Sequence, residues 1–334
     1  MKKAIRLLFF MLLLTIPAFA AEDPSSWNEE FSVLISDALE EAKPAAKDAA
    51  EDAVRLLGVA LITGIAHSFS DGKEGVMAVI RAFGVSASLI LTIGDTKGFV
   101  NSVASVTDDM LVVLQTSLPT LTSVSAMAGG SASAVTSQAV YLLSADIAAL
   151  LIHRLLLPLL GVYLALSVTM SVFPQKLPGG ADKAVSGLIT FLLRLFLTIF
   201  IGYTGILKVF GAVTDSVAKR SLKLALSSSV PVIGTIAAEA ADSVYAIAGT
   251  TRSYIGITGL IALLAVFLIP MGKMCIYYLV FRFFSFLIAP IGGDGIGSFM
   301  ESLCNGYGLL LAIAGSIILL ALLSILSTFA FISP

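Results

Sequence analysis

The chain has 334 residues, of which 57% are hydrophobic and 13% charged, with a net charge of −2 and a mean hydropathy of +0.99. Soluble domains carry roughly 25% charged residues, so this chain lacks the polar groups that a water-facing exterior needs, and its near-neutral balance gives no basis for binding nucleic acid. Only two histidines (His67, His153) and two cysteines (Cys275, Cys304) are present, which excludes a histidine-based metal cluster and a disulfide framework; the cysteines read as small buried hydrophobes.

Residues 1–20 have the pattern of a secretory signal. Lys2, Lys3 and Arg6 precede an apolar core, Leu7–Ile16, then a break at Pro17 and the small-x-small cleavage site Ala18-Phe19-Ala20. Cleavage there places Ala21 outside the cytoplasm. Residues 21–54 form an acidic extracytoplasmic segment running from Glu22 to Asp52. Within it Phe31, Leu34, Ile35 and Leu39 recur at helical spacing, and Pro44 separates this amphipathic helix from the next.

Residues 55–145 are only weakly apolar. Arg55–Ser70 is a first span; Asp71, Lys73 and Glu74 mark a turn; Val76–Ile93 is a second span and carries Arg81. Beyond Asp95 a helical stripe continues through Val100, Val103, Val106, Met110, Val113 and Leu114, with Asp108 and Asp109 on another face. Thr122–Ser137 is made of small residues around Gly129-Gly130, a composition that suits either close helix contact or a linker.

Residues 146–334 read as the core transmembrane domain. Ile147–Phe173 is a span with His153-Arg154 near its start, and a Pro/Gly/Lys loop follows over residues 174–183. Leu188–Phe210 is the next span, interrupted by Arg194. Ala212–Thr251 is amphipathic and is split by a break from Ser227 to Gly234 that contains Pro231. Tyr254–Pro290 would make a helix on the order of 55 Å long, well over a ~30 Å hydrocarbon core. It is expected to fold as two spans joined by a tight turn at Pro270-Met271-Gly272-Lys273, with Arg282 near the middle of the second. Gly292–Asn305, with Asp294, reads as a polar loop. Tyr307–Phe331 is the last span, and Gly308 and Ala312 give it a small-xxx-small face. The expectation is an all-α polytopic helical membrane protein of about seven spans. Lys73, Lys176, Lys183 and Lys273 fall in cytoplasmic loops on this count, while Lys219, Arg220 and Lys223 do not.

The sequence has no HExxH, GxSxG or P-loop, and its clearest spans carry no carboxylate. The expectation is therefore no enzyme and no cofactor or metal. What remains in the spans is arginine. Each arginine at mid-bilayer costs about 2.5–3.5 kcal/mol on insertion scales, so Arg81, Arg194 and Arg282 should face protein or water, snorkel to the headgroups, or pair with a neighbouring helix.

Three tracts carry a resemblance: Val213-Thr214-Asp215-Ser216-Val217-Ala218-Lys219, then Val230-Pro231-Val232-Ile233-Gly234, then the hairpin ending Ile288-Ala289-Pro290-Ile291-Gly292-Gly293-Asp294. In order and spacing they resemble the stage III sporulation protein AE family of endospore-forming Firmicutes, most strongly from Gly180 onward. The resemblance implies a multi-pass protein of the mother-cell membrane around the forespore. It also implies partners, namely other proteins of the same operon and a forespore-side protein, in a trans-envelope channel likened to secretion systems. The candidate assembly and polar-path residues are then Arg81, Arg194, Arg282, Pro231, Gly234, Pro270, Asp294, Gly308 and Ala312. The alternative is a stand-alone secondary transporter or permease, which would move substrate when purified into liposomes; a third reading is a scaffold that anchors soluble partners.

Overall fold

A computed structural model describes residues 24–70, 73–127, 131–173, 180–204, 267 and 269–330. The expected signal over 1–20, the whole of Ala212–Thr251 with Pro231 and Gly234, and the first part of the 254–290 stretch lie outside the described residues. The described chain is all helix: α1 (Pro24–Ser68), α2 (Glu74–Met127), α3 (Ser131–Leu151), a π turn (Ile152–Leu156), α4 (Leu157–Val172), α5 (Ala181–Thr204), α6 (Ile269–Ile291) and α7 (Gly293–Ala330). Five helical stretches are long and apolar enough to cross a membrane: Glu74–Pro119, Gln138–Val172, Ala181–Thr204, Ile269–Ile291 and Gly295–Ile325.

Several expectations need correction. Helix α1 runs through Pro44 without a break, and Arg55–Ser70 is not among the five apolar stretches. The 54 residues of α2 continue past Asp95 and Lys97, giving a helix about 80 Å long. Thr122–Met127 and Ser131–Ser137 are helical rather than a linker. Pro270–Lys273 is helical too, with Phe267 before it helical as well, so the chain does not reverse there; proline is tolerated within membrane helices, where neighbouring groups satisfy the carbonyl it frees. Residues 293–305 belong to α7 and not to a loop, which puts Asp294 in that helix's first turn.

The physical reason is common to these cases. In lipid every backbone group must be satisfied within the helix, so a few polar residues do not end it. The hydroxyl side chains cooperate by donating to carbonyls one turn back: Thr63 to Val59 (2.7 Å), Thr92 to Ser88 (3.0 Å), Thr96 to Thr92 (2.8 Å) and Ser171 to Ser167 (2.8 Å). The π turn lies just before Pro158, which lacks the N–H that a regular ladder would need at that point.

The reversal between α6 and α7 is made by Gly292 and Gly293. Gly292 N–H donates to Ile288 O at 2.8 Å, and Gly293 sits at φ +71°, a conformation that favours glycine. The two helices then pack antiparallel. Met274, Tyr277, Phe281, Ser285 and Ile288 form the buried stripe of α6, and Ala289 lies against Gly297 on α7. Helix α7 is the most enclosed: 78% of its apolar window is buried, against 17–28% for the other four. Those four present Phe83, Ile90, Leu150, Ile199, Phe283 and Phe286 outward, an apolar exterior suited to lipid.

The chain divides into two compact units. The first takes Met1–Val106, Ile152–Leu192 and Ala265–Gly315; the second takes Thr107–Leu151, Leu193–Leu264 and Ser316–Pro334. In the second, small residues of α3 (Ala145, Ala148, Ala149) meet Met110 and Leu111 of α2 and Ile317 and Leu320 of α7. Tyr141 packs edge-on against Phe200 there, with ring centroids 6.4 Å apart.

Candidate functional site

The first unit concentrates polar groups beside its longest apolar contacts. Helix α1 lies parallel to α6. Glu41 forms an ion pair with Lys273 near the start of α6, and Gly64 packs on the Ile291 backbone at its end. Residues 41–64 of α1 therefore run beside α6 over nearly the whole of that 23-residue span. This corrects the expected topology, since Glu41 and Lys273 cannot lie on opposite sides of a membrane. The positive-inside argument had depended on a turn at Pro270–Lys273 that is not there. Cysteines introduced as Glu41→Cys and Lys273→Cys, in a chain with Cys275 replaced by serine, are expected to cross-link on mild oxidation. Failure to cross-link would refute the parallel packing.

Along this stretch α1 packs inward through Ala45, Ala49, Ala53, Leu56 and Ala60, all buried. Its other face carries a charge network. Arg55 pairs with Asp52 at 2.9 Å and with Glu51 at 3.8 Å, and Lys47 approaches Glu51 at 3.9 Å. Pairs this exposed contribute only about 0–1 kcal/mol each in water; their interest is their location, level with an apolar span. Asp95 of α2 completes the group, with Asp52, Asp48 and Arg55 of α1 in electrostatic reach. The sequence reading ended the second span at Ile93 because charges follow it. The helix continues, so the carboxylate of Asp95 belongs to an apolar stretch.

One turn on, an aromatic cluster ties α2, α6 and α7 together. Phe99 meets Tyr277 (centroids 4.9 Å, 73°) and Tyr307 (5.4 Å, 86°), and Phe281 meets Tyr277 (5.7 Å) and Tyr307 (5.6 Å). Such offset and edge-to-face contacts stabilise by about 0.5–1.5 kcal/mol each beyond burial. Tyr307 OH lies 3.2 Å from Thr96 Oγ1. Because Thr96 already donates to Thr92 O, the tyrosine is the donor in this pair. A second seam joins α4 to α7: Tyr163 OH donates to Ser302 O at 3.0 Å, and Ser298 Oγ to Ser171 Oγ at 3.0 Å. Neither seam was anticipated, since its partners are far apart in the chain.

The candidate residues are distributed as follows. Arg81 is half-buried with its aliphatic stem over Gly295, where a side chain has no room. Arg282 is exposed on α6 beside Leu279, Phe283 and Phe286, and shares the first unit with Arg81. Arg194, exposed on α5, belongs to the second unit. Pro270 lies in α6; Gly308 is buried and Ala312 half-buried on α7. Among the described residues no group of three or more His, Cys, Asp or Glu is arranged to hold a metal ion.

A family model described as stage III sporulation protein AE matches residues 20–331, which includes the N-terminal part where the resemblance had rested on hydropathy alone. A curated relative, stage III sporulation protein AE of Bacillus subtilis (strain 168), is 24% identical over 208 residues, 62% of this chain. The matched stretch spans about half, 52%, of that relative's length. No solved structure matches the chain.

Proposed function

The chain belongs to the stage III sporulation protein AE family, and from that premise we propose that it is a membrane-embedded subunit of a channel complex between mother cell and forespore. It works by assembly with other proteins of the sporulation operon and a forespore-side partner, and not by catalysis. It enters the mother-cell membrane after removal of the signal over 1–20.

One observation supports an assembly role above the others. At the level of α6, the outward faces of α1 and α6 carry Lys47, Glu51, Arg55 and Arg282. Lipid accepts such groups poorly, so protein or water covers this layer in the working state. A lone carrier closes its polar groups inside its own bundle; these face outward.

Mild-detergent purification of the tagged chain from sporulating cells, with the retained proteins identified by mass spectrometry, tests the proposal. Recovery of operon-encoded membrane proteins in one large complex is the expected result. A chain recovered alone that moves substrate in liposomes would overturn it.

A further inference from the structure

Arg282 and Glu301 occupy one layer of the α6–α7 hairpin, and neither charge is neutralised within the described residues. The register of the hairpin follows from its contacts. Ala289 lies against Gly297, Phe281 against Tyr307, and the Cys304 thiol against Ser285 with both Arg282 and Glu301 in electrostatic reach. Arg282 thus stands opposite Cys304, and Glu301 lies one turn from Cys304 along α7, about 4.5 Å in depth.

Both residues point away from the hairpin's own seam. The buried stripe of α6 passes through Phe281 and Ser285, which leaves Arg282 on the outer face. On α7, enclosed almost throughout, Ser298 and Glu301 are the exposed positions among the described residues. The described part of α6, Ile269–Ile291, is long enough to cross a hydrocarbon core, and Arg282 lies about 14 Å along the helix from Ile291, too deep for its head to reach that interface easily. On the neighbouring α1 the charges pair among themselves: Arg55 has Asp52 and Glu51, and Lys47 has Glu51. Arg282 and Glu301 form no ion pair with a described residue.

We propose that Arg282 of one copy pairs with Glu301 of a second copy of this chain, through a head-to-tail contact between neighbouring α6–α7 hairpins. Each copy presents a cation on α6 and a carboxylate on α7, so the surface is complementary to that of a second copy. Repetition of such a heterologous contact closes a ring when the rotation permits. The inference deepens the assembly reading by naming the chain itself as one neighbour. Its test needs no sporulation partner, so its failure is distinguishable from failure of the complex.

Two differently tagged full-length copies are co-expressed in a non-sporulating host and co-purified in mild detergent. The wild-type pair is expected to co-purify, and Arg282→Glu in both copies, or Glu301→Arg in both, to lower recovery by about tenfold or more. The neutral changes Arg282→Gln and Glu301→Gln should lower it in the same direction while perturbing the fold less. The decisive arm combines one copy bearing only Arg282→Glu with another bearing only Glu301→Arg. Contact between copies then regains an oppositely charged pair at every interface, and recovery returns. Pairing within one chain would give no return in this arm. Failure of wild-type copies to co-purify, single variants that co-purify like wild type, or absence of rescue in the mixed arm would each overturn the proposal.

Discussion

Tyr307→Ala is expected to destabilise the first unit by about 3–5 kcal/mol, the usual range for deleting a buried aromatic ring. Tyr307 is 2% exposed and contacts both Phe99 and Phe281, so its removal opens a cavity where α2, α6 and α7 meet. Tyr307→Phe separates the ring from the hydroxyl. It removes the 3.2 Å contact to Thr96, yet Thr96 keeps its own bond to Thr92 O, so no donor is orphaned. Interhelical hydrogen bonds in membranes average about 0.6 kcal/mol, and the phenylalanine variant should lose no more than about 1 kcal/mol. The readout is the temperature at which detergent-solubilised protein loses its monodisperse size-exclusion peak. The alanine variant should fall by roughly 10 °C and the phenylalanine variant by a few degrees at most. Equal, small shifts would mean that the cluster does not hold these helices.

The contrast between those substitutions also shows what the sequence could convey. Apolar length announced the helices: Ile147–Phe173, the region after Leu188 and the region after Tyr307 are all helical where described. Local chain-reversal chemistry was less dependable. Pro270-Met271-Gly272 looked like a turn, but proline is tolerated within membrane helices, whereas Gly293 sits at positive φ and makes the reversal with Gly292. Charges misled in the same way. Asp95 and Lys97 suggested the end of a span because a hydropathy window cannot know that α1 brings Arg55 and Asp52 alongside. The three arginines were legible because charge in an apolar stretch is conspicuous. The Thr96–Tyr307 contact was not, since it joins residues 211 positions apart and neither residue is unusual where it stands.

The second large effect is expected from Gly64→Leu. Gly64 lies directly on the Ile291 carbonyl, and even a Cβ there would overlap backbone. Backbone at a reversal cannot rotate aside as a long side chain can. One turn earlier, Ala60 Cβ stands only 3.1 Å from where a Cβ on Gly292 would be, so Ala60 and Gly64 together form a small-xxx-small face on which the Ile291–Gly293 reversal sits. Overpacking of a tight site costs about 1–3 kcal/mol when neighbours can yield and more when they are backbone, so α1 should lift from α6 rather than adjust. The consequence reaches the other end of the pair. If α1 and α6 are held parallel by this contact, Gly64→Leu should sharply reduce oxidative cross-linking between cysteines at positions 41 and 273. The chain should still reach the membrane, because α1 is not one of the five apolar stretches. Gly64→Ala should give a smaller loss. Undiminished cross-linking in the leucine variant would show that α1 is held by its buried face through Ala45, Ala49, Ala53 and Leu56, and not by the fit of Gly64 against the hairpin.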